Sequence, residues 1–148
     1  MTEDPRRDLI SELRRISGRV EYEDGAAMAR FPPDAWPATL DCSGAISWAC
    51  LRIFGRDTFL DPSAYATPGA FGMWSALPGV DRAALEPGDL AFYDDAAGAW
   101  HVMMTTEAGG VIGCCDKART VQEYLEPAYS ERWRLRGFRR LTPSPRED

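Results

Sequence analysis

The segment Thr39-Leu40-Asp41-Cys42-Ser43-Gly44-Ala45-Ile46-Ser47-Trp48-Ala49-Cys50-Leu51-Arg52-Ile53-Phe54-Gly55 decides how the rest of the chain is read. Pro33 and Pro37 break the chain just before it, Asp41 is a strong N-cap type, and Gly55 stands where a C-terminal glycine belongs. Cys42, Ile46, Ala49, Cys50, Ile53 and Phe54 recur at helical spacing and form one apolar stripe. The pattern predicts a helix with Cys42 in its first turn, on the inward face. Unpaired backbone N–H groups and the positive end of the helix dipole stabilise a thiolate there. With a basic partner nearby, a cysteine pKa at such a site falls from about 8.5 to roughly 3.5–7.5. Gly44 removes bulk beside the sulfur, so a peptide-like substrate has room to approach. The competing reading is a small buried cysteine without chemistry.

Upstream, Asp4, Pro5 and Gly18 bracket a first helix whose apolar face is Leu9, Ile10, Leu13 and Ile16, with Arg14 and Arg15 at its positive-seeking end. Residues 19–40 are irregular. Val20 to Gly25 reads as a strand end or turn. The proline-rich loop carrying Phe31 and Trp36 either folds over a hydrophobic surface or walls a cleft above Cys42.

Downstream, residues 56–86 form a second covering segment, with Thr67 to Gly72 as turn and Phe71, Met73, Trp74 and Leu77 as apolar contacts. After the turn Leu85-Glu86-Pro87-Gly88-Asp89, three strands are expected at Leu90 to Tyr93, Trp100 to Thr106 and Val111 to Cys115, joined by hairpin connectors. Residues 118–126 read as a short helix or loop, residues 132–141 as a last strand, and Thr142 to Asp148 as a frayed tail. No repeat or linker divides the chain, so residues 1–148 are expected to be one domain with its core at about 5–141.

Composition narrows the function. The net charge of −6 argues against nucleic acid as the main partner, since phosphate binding wants a basic face. It also supplies no attraction to anionic membrane surfaces or wall polymers. No apolar run approaches the ~18 residues of a membrane span. Met1 to Asp8 lacks the apolar segment of a secretory signal, so synthesis in the cytoplasm is expected. Cys42, Cys50, Cys114 and Cys115 are too few for a disulfide scaffold and lack the Cys-x-x-Cys spacing of a zinc site. Neither metal nor cofactor is called for. On a strand, Cys114 and Cys115 point opposite ways, so at most one is expected to face the core.

The chain's single histidine, His101, lies on the second expected strand. A nucleophile from a helix start and an imidazole from a neighbouring sheet is an arrangement that cysteine peptidases use. Asp41-Cys42-Ser43-Gly44, then Leu85-Glu86-Pro87-Gly88-Asp89-Leu90-Ala91-Phe92-Tyr93, then His101-Val102, resembles the NlpC-type cell-wall peptidase superfamily in residues and in order. The ending Gly137-Phe138-Arg139-Arg140-Leu141 is also similar to that family's closing strand.

The resemblance covers about Tyr22 to Leu141 and implies a papain-like α+β fold, with a nucleophile helix packed on a mostly antiparallel sheet. It implies hydrolysis of amide bonds in peptidoglycan stem or cross-bridge peptides through a thioacyl-enzyme, with Cys42 as nucleophile and His101 as general base. It places Asp41 and Ser43 at the substrate end, Asp41 where a free amine of the peptide is met, and Tyr22 at the oxyanion hole. The family's third polar residue, some twelve positions after the histidine, falls at Gly113, which has no side chain to offer. A shift in the Gly109-Gly110 turn would bring Cys115 or Asp116 into that role, and Asp116 has the better chemistry.

The expected setting is a monomer released at bacteriophage lysis or carried by a phage tail, with a secreted antibacterial effector next. An acyltransferase or deamidase on the same scaffold, with Trp36, Trp48, Trp74 and Trp100 lining an acyl pocket, is one alternative. A catalytically impaired binding module, motivated by Gly113, is the other.

Overall fold

The computed structural model describes residues 5–23, 39–54 and 69–141. The proline-rich stretch with Phe31 and Trp36, residue Gly55, and the tail from Thr142 lie outside them.

Helix α1 (Pro5–Ile16) carries Asp8 in its first turn and Arg14 and Arg15 in its last, the polarity that suits the dipole. It buries Leu9, Ile10, Leu13 and Ile16 against helix α2 (Cys42–Phe54). Each such side chain contributes about 1.5–3 kcal/mol of burial free energy. Every residue from Cys42 to Cys50 is buried, as befits a helix roofed by α1 and floored by a sheet. None of the helices among the described residues is long and apolar enough to cross a membrane.

The floor is a six-stranded sheet of β3 (Gly79–Val80), β4 (Leu90–Asp94), β5 (Trp100–Thr105), β6 (Val111–Cys115), β7 (Thr120–Tyr124) and β8 (Arg134–Arg139). The strands lie in the order β3-β8-β4-β5-β6-β7, antiparallel throughout. A separate parallel pair joins β1 (Glu21–Tyr22) to β2 (Thr39–Leu40). The result is the α+β architecture expected.

Two elements differ from the sequence reading. Residues 120–124 form strand β7 rather than a helix or loop, because Cys115 pairs with Thr120 across a four-residue turn in which Arg119 takes a left-handed φ of 62°. Residues Ala70–Ala76 form a short helix, α3, where Ala70 to Gly72 were expected as turn, burying Ala70 and Met73; Thr67 and Pro68 lie outside the described residues. Seven residues are too few to display a helical period.

Strand alternation sorts the sheet's side chains into two cores. Leu90, Phe92, Val102, Met104, Ile112 and Cys114 face the helices. Ala91, Tyr93, Met103 and Cys115 face the other way, beneath Tyr129 and Trp133 from the segment between β7 and β8. Cys114 and Cys115 do point opposite ways, yet both are fully buried, since both faces are covered. That corrects the expectation of one core-facing thiol.

The Pro-Gly-Asp turn is pinned by a buried carboxylate. Asp89, with no exposed surface, accepts hydrogen bonds from Arg140 Nε and Nη2 at 2.9 Å each, from Arg6 Nη1 at 3.1 Å, and from the Glu86 N–H at 2.8 Å. It thereby ties α1, the β4 entrance and the end of β8 together.

Candidate active site

Asp41 caps α2 as its residue type predicts: Oδ1 accepts the Gly44 N–H at 2.7 Å and the Ser43 hydroxyl at 3.3 Å. This sets Cys42 as the first helical residue, 8 % exposed. Its sulfur is offered three backbone N–H groups, from Val102, Ser43 and Cys42 itself. These donors favour a thiolate. Burial and the charge of Asp41 oppose it and win, so the thiol is pushed up to about 12.

His101 follows from the register of β5. Val102 and Met104 point to the helical core, so His101 points to the opposite face, where it is 2 % exposed. Its ring stacks on Trp133 at 4.8 Å between centroids and lies tilted against the rings of Tyr93 and Tyr129. Nε2 lies 2.6 Å from the Tyr129 hydroxyl. Burial lowers the imidazole to about 4, against a raising influence from Asp116. Thiol and imidazole are therefore both neutral in this arrangement, and no hydrogen bond joins them. They approach through the backbone: the Val102 N–H that reaches Cys42 belongs to the residue directly after His101. The β5–β6 ladder pairs only Met104 with Ile112 and Thr105 with Val111, so that stretch of β5 lies beyond it.

Tyr22 pairs with Leu40, which brings it to within two residues of Cys42 along β2 despite the long sequence separation. Leu40 is itself fixed by the Cys114 thiol, which donates to its carbonyl at 3.3 Å.

The third position is where geometry departs most from expectation. A Cβ on Gly113 would lie 2.7 Å from Met103 Sδ, so the methionine occupies the space a side chain there would need. Cys115 Sγ lies 3.5 Å from the Tyr124 hydroxyl. The Asp116 carboxylate accepts Trp133 Nε1 at 3.2 Å and pairs with Arg132. Neither Cys115 nor Asp116 bonds the imidazole. The group that does is Tyr129, which sequence reasoning passed over because it sits in a segment without periodicity.

Of the tryptophans expected for an acyl pocket, three lie in or against the helix-side core. Trp48 is a buried α2 residue, while Trp74 and Trp100 pack at 5.4 Å beside the half-exposed Phe71. Trp36 lies outside the described residues.

No family model matches the sequence, and no curated protein does either. Solved structures do match in fold. NlpC1 from Trichomonas vaginalis superposes with a TM-score of 0.71 at 19% identity, covering 95% of this chain and 45% of that one. The peptidoglycan hydrolase RipB from Mycobacterium tuberculosis gives 0.63 at 20% identity, covering 90% and 62%. RipD from the same organism, described as a non-catalytic NlpC/p60 domain protein adapted to peptidoglycan binding, gives 0.67 at 16% identity, covering 95% and 100%. The chain thus has the NlpC/P60 fold, the papain-like class that its motifs resemble. It spans under half the length of the Trichomonas proteins it matches.

Proposed function

We propose that the protein hydrolyses amide bonds in peptidoglycan stem or cross-bridge peptides, with Cys42 as nucleophile and His101 as general base. The observation that carries the reading is the placement of the Cys42 sulfur at a helix N-terminus, under three backbone N–H donors, one of them from the residue after the only histidine. In the proposed reaction the sulfur attacks the scissile carbonyl carbon while its proton passes to His101. The Cys42 N–H, with Tyr22 beside it, faces the oxyanion that develops. The imidazolium returns the proton to the departing amine. Water then opens the thioacyl-enzyme and regenerates the thiol. Because both groups rest neutral, proton transfer accompanies attack rather than preceding it. Catalytic contacts that are long in a free enzyme commonly tighten once substrate is bound. Asp41 Oδ2 takes no hydrogen bond from the described residues, which suits it to a peptide amine. The wall setting is supported by the peptidoglycan roles stated for RipB and RipD; a single chain acting after phage lysis or tail delivery is the route proposed for reaching it.

The neutral, separated pair and the side-chain-free Gly113 favour a second reading, a domain that binds wall peptides without cutting them. Incubating purified sacculi with the protein and with Cys42→Ala separates the two. New peptide ends in the soluble fraction, seen by mass spectrometry only with wild type, support hydrolysis. Retention on sacculi without fragments supports binding alone.

A further inference from the structure

The imidazole of a cysteine hydrolase needs a third group to fix its tautomer and plane. The strand position expected to supply it is Gly113, and Met103 Sδ closes that space from the neighbouring strand. His101 is nevertheless held by aromatic neighbours. Trp133 stacks on it, with Nε1 donating to Asp116 at 3.2 Å, and Tyr93 lies opposite in the β4–β5 register. Tyr129 reaches Nε2 at 2.6 Å.

Tyr129 is itself well anchored. It is 8 % exposed, stacks on Tyr124 at 4.5 Å, and meets Tyr93 edge-on at 5.6 Å. The backbone around it is tied down at two points. Lys117 Nζ donates to the Tyr129 carbonyl at 2.7 Å, and the Tyr93 hydroxyl donates to the Pro127 carbonyl at 2.7 Å. A phenol held this firmly, on an imidazole nitrogen, has the geometry of an orienting group.

We infer that Tyr129 is the positioning residue of this site, holding the His101 ring in one orientation and tautomer, with Nε2–H donated to its phenolic oxygen and Nδ1 left to take the proton. Among the described residues Nδ1 has no hydrogen-bond partner. The inference rests on the proposed roles of Cys42 and His101. It gives the missing strand residue a replacement from the β7–β8 segment, on the far side of the ring. In the proton step, the S–H bond of Cys42 breaks as an N–H bond forms at Nδ1 and the sulfur bonds to the substrate carbonyl carbon, whose π pair moves to the oxygen, leaving an imidazolium whose Nε2–H stays on Tyr129.

The test reads the tautomer directly and does not need activity. Long-range 1H–15N spectra of the full-length protein are expected to show neutral His101 protonated at Nε2, and Tyr129→Phe is expected to shift the Nε2 resonance and admit the Nδ1–H form. On sacculi, Tyr129→Phe, which keeps the ring stacking, is expected to lower kcat by roughly 10–100-fold with KM unchanged, the loss usual for removing an orienting partner. A wild-type His101 protonated at Nδ1, or a Tyr129→Phe variant with unaltered Nε2 resonance, would overturn the inference even if Cys42 proved essential. Conversely, an Nε2–H tautomer that depends on Tyr129 in a protein that digests no wall would leave Tyr129 positioning the ring and end the hydrolase reading instead.

Discussion

Cys42 of helix α2 and Val102 of strand β5 share one core, with the Val102 backbone acting to lower the Cys42 thiol against the larger effect of burial. Cys42 enters from the helical side, and the side chain of His101, one residue before Val102, leaves on the other. The β5–β6 ladder stops at Met104 and Ile112, short of this stretch of β5.

Free Cys42 reacts slowly. Burial and Asp41 push its thiol up to about 12, so at neutral pH almost no thiolate is present. Iodoacetamide should label it more slowly than a model peptide thiol in the ligand-free protein, read by mass spectrometry of the Cys42 peptide. Labelling faster than the model would show a thiolate–imidazolium pair already formed at rest.

Acid destabilises the protein through His101. Its folded pKa of about 4 lies below the ordinary 6.5, so the unfolded chain binds the proton more readily between those values. The contribution is fully present above pH 6.5 and is lost as pH falls towards 4. Thermal unfolding followed across this range should show a decline that is smaller in His101→Gln. The groups facing the ring, Tyr93, Tyr129, Trp133, Asp116 and Arg132, include one carboxylate, and Asp116→Asn should deepen the decline.

Gly113→Ala should cost about 1–3 kcal/mol, the usual toll of overpacking a filled site. Its Cβ would meet Met103 Sδ at 2.7 Å in a fully buried strand pair. Adding Met103→Ala should recover part of the loss, measured by urea unfolding. Strictly additive losses would show that the two side chains do not share the space.

Asp89→Ala should destabilise the fold by about 1–3 kcal/mol, the cost of stranding the donors that the buried carboxylate serves, with Glu86 still pairing the arginines. Arg140 and Arg6 both lose their shared carboxylate, which is fully buried. The prediction is a lower urea midpoint without a change in slope.

The order of elements was legible because it rests on local signals. Asp41 is a capping residue by type and by hydrogen bond, and α1, α2 and the central strands carry clear periods. The α+β fold and the family resemblance follow from those elements and from Asp-Cys-Ser-Gly, Pro-Gly-Asp-Leu and His-Val in order. Strand β7 was hidden because Thr120 to Tyr124 alternates only weakly and is stabilised by pairing with β6. Tyr129 was hidden for a different reason. Its link to His101 spans 28 residues and depends on how the β7–β8 segment folds back over the sheet, which no local pattern encodes. The filling of the Gly113 site by Met103 is likewise a cross-strand fact, set by register.

The central claim is that Cys42 and His101 act as one unit, and a double-mutant cycle on wall digestion tests it most directly. Residues sharing a step lose their effect together rather than independently. Cys42→Ala and His101→Ala should each lower peptide release from sacculi by on the order of 1,000-fold or more, and the double variant should be no slower than the worse single one. Single variants as active as wild type, or a double variant whose loss is the product of the two, would contradict it.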